Sequence, residues 1–289
     1  MEHSNFIHLH VHSQYSLLDG AIRFDEACDL AKKYRMSALA LTDHGNMFGA
    51  IEFYQTAIKH GIKPIVGCEI YVAPGSRFEK KTGDGMEGVY HLTLLVKNKI
   101  GYFNLIKLVS LAHLEGFYYK PRVDKELLSQ YHEGLIALSG CLKGEISAHA
   151  GRGEMRKAMQ AAEEYRKIFD GRRFFVEMQN NGVENQTLVN ERLLEISHQL
   201  SLPVVATNDC HYLNREDAKA HEVLLCIQTG KTLQDSDRMK FSTNEFYFKS
   251  PQEMADLFQT IPEAITNTLE IADQCNLELK FEEKHIPRI

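Results

Sequence analysis

Three histidines occupy alternate positions near the start of the chain, in the stretch FIHLHVHSQYSLLDG. Alternate residues of a β-strand share one face, so His10 and His12 can point into the same cavity. The spacing recurs near the end of the chain, in Asp209 and His211 of the stretch NDCH. Imidazole and carboxylate groups are common ligands of zinc, manganese and iron. The two pairs therefore predict a metal site, although either pair alone is also compatible with side chains that only pack within a strand.

Further candidate ligands fall at or near the ends of other predicted strands. They are Asp19, Asp43 and His44 of TDHG, Glu69 of GCE, His91, and Cys141 of SGC. Each has an ordinary structural explanation, because Asp-His-Gly also forms turns and a lone cysteine is often a small buried residue. Their joint position at strand ends favours a metal site, and imidazoles and carboxylates with one thiolate favour zinc or manganese. The remaining internal histidines are predicted to lie at the surface or in a second layer: His60, His113, His132, His149, His198 and His221.

Short apolar segments alternate with longer helical patterns along most of the chain. The predicted strands, about seven in number, are FIHLHVH, MSALALTDHG, KPIVGCEIYVA, VYHLTLLVKN, EGLIALSGC, RFFVEMQ and PVVATNDCHY. One long helix is expected from about residue 145 to 169, and helices dominate from the last strand to about residue 276. This order predicts an α/β fold with a parallel sheet and helical crossovers. No GxGxxG motif follows the first predicted strand and no GxxxxGK[ST] motif occurs, so a closed barrel with its site at the carboxyl ends of the strands is preferred over a nucleotide-binding sheet.

The composition restricts the classes of function. The chain has 289 residues, 44% of them hydrophobic, and a formal net charge of −6. That charge does not suit a protein that grips a nucleic-acid backbone over a broad surface, so any such contact should be local. No apolar run is long enough to span a membrane and no secretory signal is present, which predicts a cytoplasmic protein without membrane contact. Six cysteines without a CxxC pair predict neither a zinc ribbon nor a disulfide framework.

Several long motifs resemble the polymerase and histidinol phosphatase (PHP) superfamily, and within it the N-terminal region of bacterial replicative DNA polymerase III alpha subunits. The matching stretches include FIHLHVHSQYSLLDG, ALALTDHGNMFGAIEFY, GIKPIVGCEIYVA, GFYYKPRVD, GLIALSGC and LPVVATNDCHYL. The resemblance implies a distorted (β/α)7 TIM-like barrel over residues 1–276, with residues 277–289 beginning the connection to a polymerase core. It also implies three divalent metal ions, zinc or manganese.

The resemblance assigns a role to each candidate residue. The implied metal ligands are His10, His12, Asp19, His44, Glu69, His91, Cys141, Asp209 and His211. His8 and Asp43 are implied as supporting residues outside the ligand set. Lys120 and Arg122 of the stretch YYKPR could contact phosphate if their loop covers the barrel mouth, or could belong to a solvated loop.

The implied activity is metal-assisted phosphoester hydrolysis at the 3′ end of DNA, as in a proofreading 3′→5′ exonuclease. The partners would then be a DNA 3′ end and the rest of the polymerase chain. One alternative is a scaffold that docks a separate exonuclease subunit around a structural metal cluster. Another is a free-standing phosphatase, which the long alpha-subunit motifs disfavour. Asp235 and Asp237 form a DSD stretch in a polar context, and a polymerase site is expected downstream of Ile289 instead.

Overall fold

The computed structural model describes residues 3–80 and 89–281. The strands of these ranges are β1 (Ala38–Leu41), β2 (Lys63–Val72), β3 (Tyr90–Val96), β4 (Arg122–Val123), β5 (Leu135–Leu138), β6 (Phe174–Gln179) and β7 (Val204–Thr207). The helices are α1 (Phe24–Lys33), α2 (Ala50–His60), α3 (Lys99–Leu114), α4 (Lys125–Tyr131), α5 (Glu145–Gly151), α6 (Met155–Phe169), α7 (Gln186–Leu200), α8 (Ala218–Thr229), α9 (Pro251–Leu257) and α10 (Pro262–Gln274). None of the helices in these two ranges is long and apolar enough to cross a membrane.

The strands form one mixed sheet in the order β1-β2-β3-β5-β6-β7, with β4 paired to β2. The pairs β1–β2, β5–β6 and β6–β7 are parallel, whereas β3 is antiparallel to both β2 and β5. The prediction of a wholly parallel sheet is therefore wrong at β3. No helix joins β2 to β3 in the described part of their connection, and an antiparallel neighbour needs no helical crossover. The Gly-rich, charged composition of residues 76–88 predicts a loop between these two strands, and residues 81–88 of it lie outside the described residues.

The predicted first strand does not form a regular β-strand. Residues 6–12 are extended, but they exchange scattered backbone hydrogen bonds with two neighbours instead of a continuous ladder. On one side, Ala40 N–H donates to His8 O over 3.1 Å; on the other, His12 N–H donates to Cys210 O over 2.8 Å. The segment thus lies between β1 and the chain that follows β7, where it closes the curled sheet into a distorted α/β barrel. The predicted fold class is confirmed, with this correction to its first element.

Every second side chain of a strand points into the barrel. Along the strands these inward side chains change from apolar to polar, so the barrel interior has two layers. The apolar layer takes one or two inward side chains from each of several strands, and Ile271 and Ala272 of α10 pack against it. Its other members are Ile7, Leu9, Ala38, Ala40, Ile65, Leu95, Ile136, Leu138, Phe175, Val205 and Cys275. The polar layer lies further along the same faces of the strands: Glu177 follows Phe175 by two residues on β6, and Thr207 follows Val205 by two residues on β7. Since β3 runs in the opposite direction, its first residues reach the polar layer.

Two helical predictions need correction. The long helix expected from residue 145 to 169 is broken into α5 and α6, because Gly153 adopts a left-handed conformation with φ of +76° between them. Such a conformation ends a helix and costs glycine little. Residues 230–250 contain no helix, although helices were expected to dominate there. The domain boundary predicted after residue 276 lies just beyond the end of α10. It stays a prediction, since residues 282–289 lie outside the described residues.

Candidate metal centre

Glu69 lies at the centre of the predicted ligand cluster. Its side chain is 1% exposed and projects from β2 into the polar layer. Oε1 lies 3.4 Å from Nε2 of His10 and 2.9 Å from Nδ1 of His91. Oε2 lies 2.6 Å from Nδ1 of His44 and 3.6 Å from Nε2 of His12. One carboxylate therefore faces four imidazoles from three different parts of the barrel.

Asp209 forms a second centre beside Glu69. Its Oδ1 lies 3.3 Å from Nε2 of His10 and 3.1 Å from Nε2 of His12. The same oxygen lies 3.7 Å from Nδ1 of His211. The backbone of Asp209 has φ of +49°, an uncommon conformation for a residue with a side chain, and such residues often occur at functional sites. The turn after β7 thus places two predicted ligands on the cluster.

Asp19 and Cys141 complete the cluster at its edges. Oδ2 of Asp19 lies 3.2 Å from Nε2 of His44, and Oδ1 lies 3.7 Å from Nε2 of His211. Sγ of Cys141 lies 4.0 Å from Oε1 of Glu69 and 3.9 Å from Nδ1 of His91. All nine residues predicted as ligands consequently lie together at one end of the barrel.

The cluster contains buried polar atoms that protein neighbours do not satisfy. Within the described ranges, these include Oδ1 of Asp19, Nδ1 of His44, Oε2 of Glu69 and Oδ1 of Asp209. The His44 and Glu69 atoms are 2.6 Å apart but lack hydrogen-bond geometry. Leaving such groups unpaired is costly, whereas a cation among them would satisfy several at once.

The same cluster contains overlapping sets of side chains that could hold cations. In each set, the ligand atoms all lie within 4.8 Å of one another. The sets are His10, His12 and Glu69; His44, Glu69 and His91; and His12, His44 and His211. Together with the unsatisfied buried atoms, this donor chemistry fits divalent metal ions.

Burial and mutual charge have opposite effects on these ligands. Burial opposes the ionised form of Glu69, but His91, His44 and His10 outweigh it and hold its pKa well below the usual range. Burial also opposes protonation of His44, yet Glu69 and Asp19 raise its pKa to about 10. Burial, together with His44 and His211, lowers the pKa of His12 to about 3. His12 is therefore held neutral, which is the form of an imidazole that binds metal.

Asp43 and His8, the predicted supporting residues, have different surroundings. Asp43 accepts hydrogen bonds from the backbone and hydroxyl of Ser13 and from Ser16 Oγ, the last over 2.8 Å. Ser16 Oγ also lies 2.9 Å from Nδ1 of His12, so Asp43 reaches that ligand through one hydroxyl. His8 instead donates from Nε2 to Lys249 O over 2.8 Å and lies 3.4 Å from Cys210 Sγ. Its contacts support the segment between Asp209 and His211.

The two predicted phosphate contacts behave differently. Arg122 is 1% exposed, and its guanidinium donates to the backbone oxygens of Gly116, Arg77 and Glu79. This buried fork holds the surrounding loop together, which disfavours the phosphate contact that stays a prediction for Arg122. Lys120 is partly exposed, and its ammonium lies 5.3 Å from the ring centre of Tyr71. That ring in turn lies 5.2 Å from the ring of His91, so Lys120 is close to the cluster.

Sequence patterns missed two residues that contact the ligands. Glu177 is fully buried in β6, with Oε1 2.6 Å from Nδ1 of His10. The available signal was a lone acidic residue inside the otherwise apolar stretch FFVEM. His221, predicted only to be at the surface or in a second layer, is 2% exposed and donates to Asp19 O over 2.6 Å. Its position on α8 gave no comparable signal.

A cavity of about 210 Å³ borders the cluster. It is lined by several predicted ligands, by apolar side chains, which we call the apolar wall, and by other polar side chains. The apolar residues are Leu142, Val183, Met239, Phe241 and Phe246. The polar residues outside the ligand set are Lys143, Gln179, Gln186 and Ser242. The ring of Phe241 lies 5.1 Å from that of His211, so the apolar wall directly adjoins a predicted ligand.

Comparison with known proteins confirms the resemblance inferred from the motifs. A family model described as the PHP domain matches residues 8–181. The chain is 50% identical over 273 residues to DNA polymerase III subunit alpha of Borreliella burgdorferi, covering 94% of this chain and 24% of that protein. It is 48% identical over 293 residues to the corresponding subunit of Thermus aquaticus, with coverage of 98% and 24%. The chain thus spans about a quarter of the length of these relatives.

Among solved structures, a two-domain protein from Bacteroides vulgatus, described as containing a "predicted PHP-like metal-dependent phosphoesterase", matches with a TM-score of 0.43. The two sequences are 16% identical, and the match covers 91% of this chain and 62% of that one.

Proposed function

This chain belongs to the PHP domain family, and on that premise we propose that it is a metal-dependent phosphoester hydrolase that removes nucleotides from the 3′ end of DNA. The observation that carries the proposal is the cluster of ligand atoms at the barrel mouth, four of which are buried without a hydrogen-bond partner. Such a cluster is costly unless cations bind there. The adjoining cavity provides space for a substrate beside it.

We assign the cluster three divalent ions, zinc or manganese. The residues that would hold them are His10, His12, Asp19, His44, Glu69, His91, Cys141, Asp209 and His211. Bound divalent ions would lower the pKa of a water molecule and stabilise negative charge on phosphoryl oxygens. Glu69 and Asp209 each face several imidazoles, so their carboxylates would be central to holding the ions.

The chain's own residues would orient the phosphodiester. Lys143 lines the cavity and is exposed, and Lys120 lies over Tyr71 near the cluster. Their ammonium groups could pair with phosphate oxygens next to the scissile bond. Phe241 and Phe246, in the apolar wall, could contact the base or sugar of the terminal nucleotide. These contacts are local, as the net charge of −6 requires of a DNA-binding site.

Cys141 would act as a ligand and not as a nucleophile. Burial, reinforced by Glu69 and Asp209, raises the pKa of its thiol well above the ordinary value. A reactive cysteine needs the opposite shift, since the thiolate is the attacking form. Cation binding would favour the thiolate in a ligand role. A covalent cysteine intermediate is therefore disfavoured.

The direct test uses the purified chain, loaded with manganese or zinc, and single-stranded DNA labelled at its 5′ end. Progressive shortening from the 3′ end is expected from the native protein and should be lost in His10→Ala and Asp209→Ala. His198→Ala is a matched control, because His198 is exposed on α7 away from the ligand set. No shortening by the native protein, or equal shortening by the two ligand variants, would refute the proposal.

A second candidate function is docking, and exposed apolar side chains around α3 favour it. Ile100 and Phe103 are 51% and 57% exposed, and Leu114 and Phe117 beyond them are 81% and 53% exposed. Groups of exposed apolar residues often mark protein contacts. The partner would be the rest of a polymerase chain or a separate exonuclease subunit. A purely structural cluster predicts that chelation lowers the melting temperature while no metal loading produces hydrolysis.

The relatives are replication proteins by name, and a replication role would place this chain in the cytoplasm.

Asp235 and Asp237 are not arranged as a polymerase site: Asp235 accepts from Thr232, and Asp237 pairs with Lys231 over 2.8 Å. We therefore expect this chain alone not to extend a primer. Template-directed nucleotide incorporation by the purified chain would contradict that expectation.

A further inference from the structure

Both carboxylate oxygens of Glu177 accept hydrogen bonds, whereas Glu69 and Asp209 each have one oxygen without a hydrogen-bond partner. Glu177 projects from β6 into the polar layer, and its side chain is fully buried. Oε1 lies 2.6 Å from Nδ1 of His10 and accepts from Thr207 Oγ1 over 2.6 Å and from Gln179 Nε2 over 3.1 Å. Oε2 accepts from Gly140 N–H over 3.0 Å and from Thr93 Oγ1 over 3.4 Å. Glu177 thus contacts four other segments of the chain as well as Gln179 on its own strand.

These contacts determine which nitrogen of His10 can face the cluster. A carboxylate only accepts hydrogen bonds, so the Nδ1 atom that contacts Glu177 must be the one that carries a proton. Nε2 is thereby the nitrogen that faces the cluster, 3.1 Å from Nε2 of His12 and within 3.4 Å of Glu69 and Asp209 oxygens, and a cation that binds it would displace the proton that these carboxylates favour there. An imidazole presents this form to a metal ion when its other nitrogen is held by a carboxylate.

Glu177 is also connected to two other ligand-bearing turns. Thr207, which donates to it, lies two residues before Asp209 at the end of β7. Gly140, whose N–H donates to it, directly precedes Cys141. Gly140 has φ of +83°, and a Cβ atom there would lie 2.5 Å from His91 O, so this turn tolerates little displacement. Movement of the Glu177 carboxylate would therefore disturb His10, Asp209 and Cys141 together.

We propose that Glu177 is a positioning residue that fixes the metal-binding form of His10 and holds the turns of Asp209 and Cys141 in register. The inference rests on the proposed metal site. Glu177 is not itself assigned as a ligand, because both of its oxygens already accept hydrogen bonds from protein groups. It acts through the three ligands that it aligns.

Glu177→Gln tests the proposal with little change in volume. Either orientation of the amide would place an N–H₂ group against a donor, at His10 and Thr207 or at Gly140. We expect the apparent dissociation constant for manganese to rise about 10–100-fold, the usual effect of losing an outer carboxylate. The measurement is competition with a chromophoric chelator in the absence of nucleic acid. Unfolding of the metal-free protein by urea supplies a separate measure of stability.

Glu145→Gln is the matched control. Glu145 is also buried and accepts side-chain hydrogen bonds from Lys125 Nζ and Tyr165 OH, and within the described ranges neither its hydrogen bonds nor its ion pair involves a predicted ligand. Its loss should reduce stability while leaving manganese affinity within about 3-fold of the native value, since it touches no ligand. A similar change in affinity for both variants would show that Glu177 has only a general structural role and would overturn the proposal.

Thr207→Val provides a second variant if Glu177→Gln does not fold. It removes one donor to Glu177 at nearly constant volume, and should weaken manganese binding in the same direction by a smaller factor. Thr268→Val is its control, because Thr268 is equally buried but bonds Ile7 N–H and Ile265 O below the cluster. Native affinity in Thr207→Val, or a native protein that binds no manganese, would also overturn the proposal. Metal binding without DNA hydrolysis would instead refute only the proposed exonuclease activity.

Discussion

The apolar and polar layers of the barrel interior are built from the same strands but have opposite energetic characters. On β2, Ile65 belongs to the apolar layer, and Glu69, four residues later on the same face, belongs to the polar layer. On β6, Phe175 and Glu177 show the same change within two residues. Burial of the apolar side chains favours folding. Burial of the carboxylates and imidazoles opposes it unless they are paired or bind cations.

This difference separates stability from function along the barrel axis. The apolar layer is covered by α10, and its side chains have no polar groups that would require a bound ion. The polar layer retains buried atoms without partners, including oxygens of Glu69 and Asp209. Changes in the apolar layer should therefore affect folding with or without metal. Changes in the polar layer should affect metal binding and the chemistry that depends on it.

Replacement of the central carboxylate should have the largest effect. Glu69 faces four imidazoles, so Glu69→Gln should reduce DNA hydrolysis by about 10³-fold or more, exceeding the 10–100-fold expected for an outer carboxylate. Added manganese should no longer raise the melting temperature. Initial rates of nucleotide release and thermal unfolding measure the two effects, with Glu145→Gln as the control. Hydrolysis within about 10-fold of native would remove Glu69 from the proposed site.

Truncation of a side chain in the apolar layer should cost a comparable free energy, but it should reduce folding stability instead of metal binding. Leu95 is fully buried in β3, and Leu95→Ala should lower the free energy of unfolding by about 3 kcal/mol because it leaves a cavity. Manganese affinity of the folded protein should stay near native. Urea unfolding, with and without metal, measures the change, and Leu114→Ala at an exposed position is the control. An equal loss of metal affinity would show that the two layers are not separable.

Removal of metal should produce a smaller loss confined to the polar layer. With metal at about 100 times its dissociation constant, one bound ion adds about 2.7 kcal/mol to stability. Chelation should accordingly lower the melting temperature by roughly 5–10 °C in a chain of this size. The shift should vanish in Asp209→Ala and persist in Leu95→Ala. A native melting temperature that does not respond to chelator would contradict metal binding by the cluster.

The sequence was informative about the ligands because ligand chemistry restricts residue type and strands restrict spacing. His10 and His12 could be placed on one face from those two facts, and the resemblance assigned Glu69, on another predicted strand, to the same ligand set. The direction of β3 could not be predicted in this way, since strand patterns are the same in parallel and antiparallel sheets. Nor could the burial of Arg122, because its three acceptors are backbone oxygens that leave no trace in the residue pattern. Glu177 was missed because a single acidic residue in a strand does not show what it faces.

The two basic residues of YYKPR provide the test with the smallest expected effect, because Lys120 lies near the polar layer whereas Arg122 is buried in the surrounding loop. Lys120 lies at the rim of the polar layer, so Lys120→Ala should raise KM for DNA by about 5-fold, corresponding to about 1 kcal/mol, while kcat and the melting temperature change little. Lys59→Ala, at an exposed position on α2, controls for the loss of a surface charge. Arg122→Ala should instead lower the melting temperature, because it leaves buried carbonyl oxygens without donors. If Lys120→Ala left KM unchanged, phosphate contact by Lys120 would be excluded, and the substrate would be expected to bind from the side of Lys143 and Phe241.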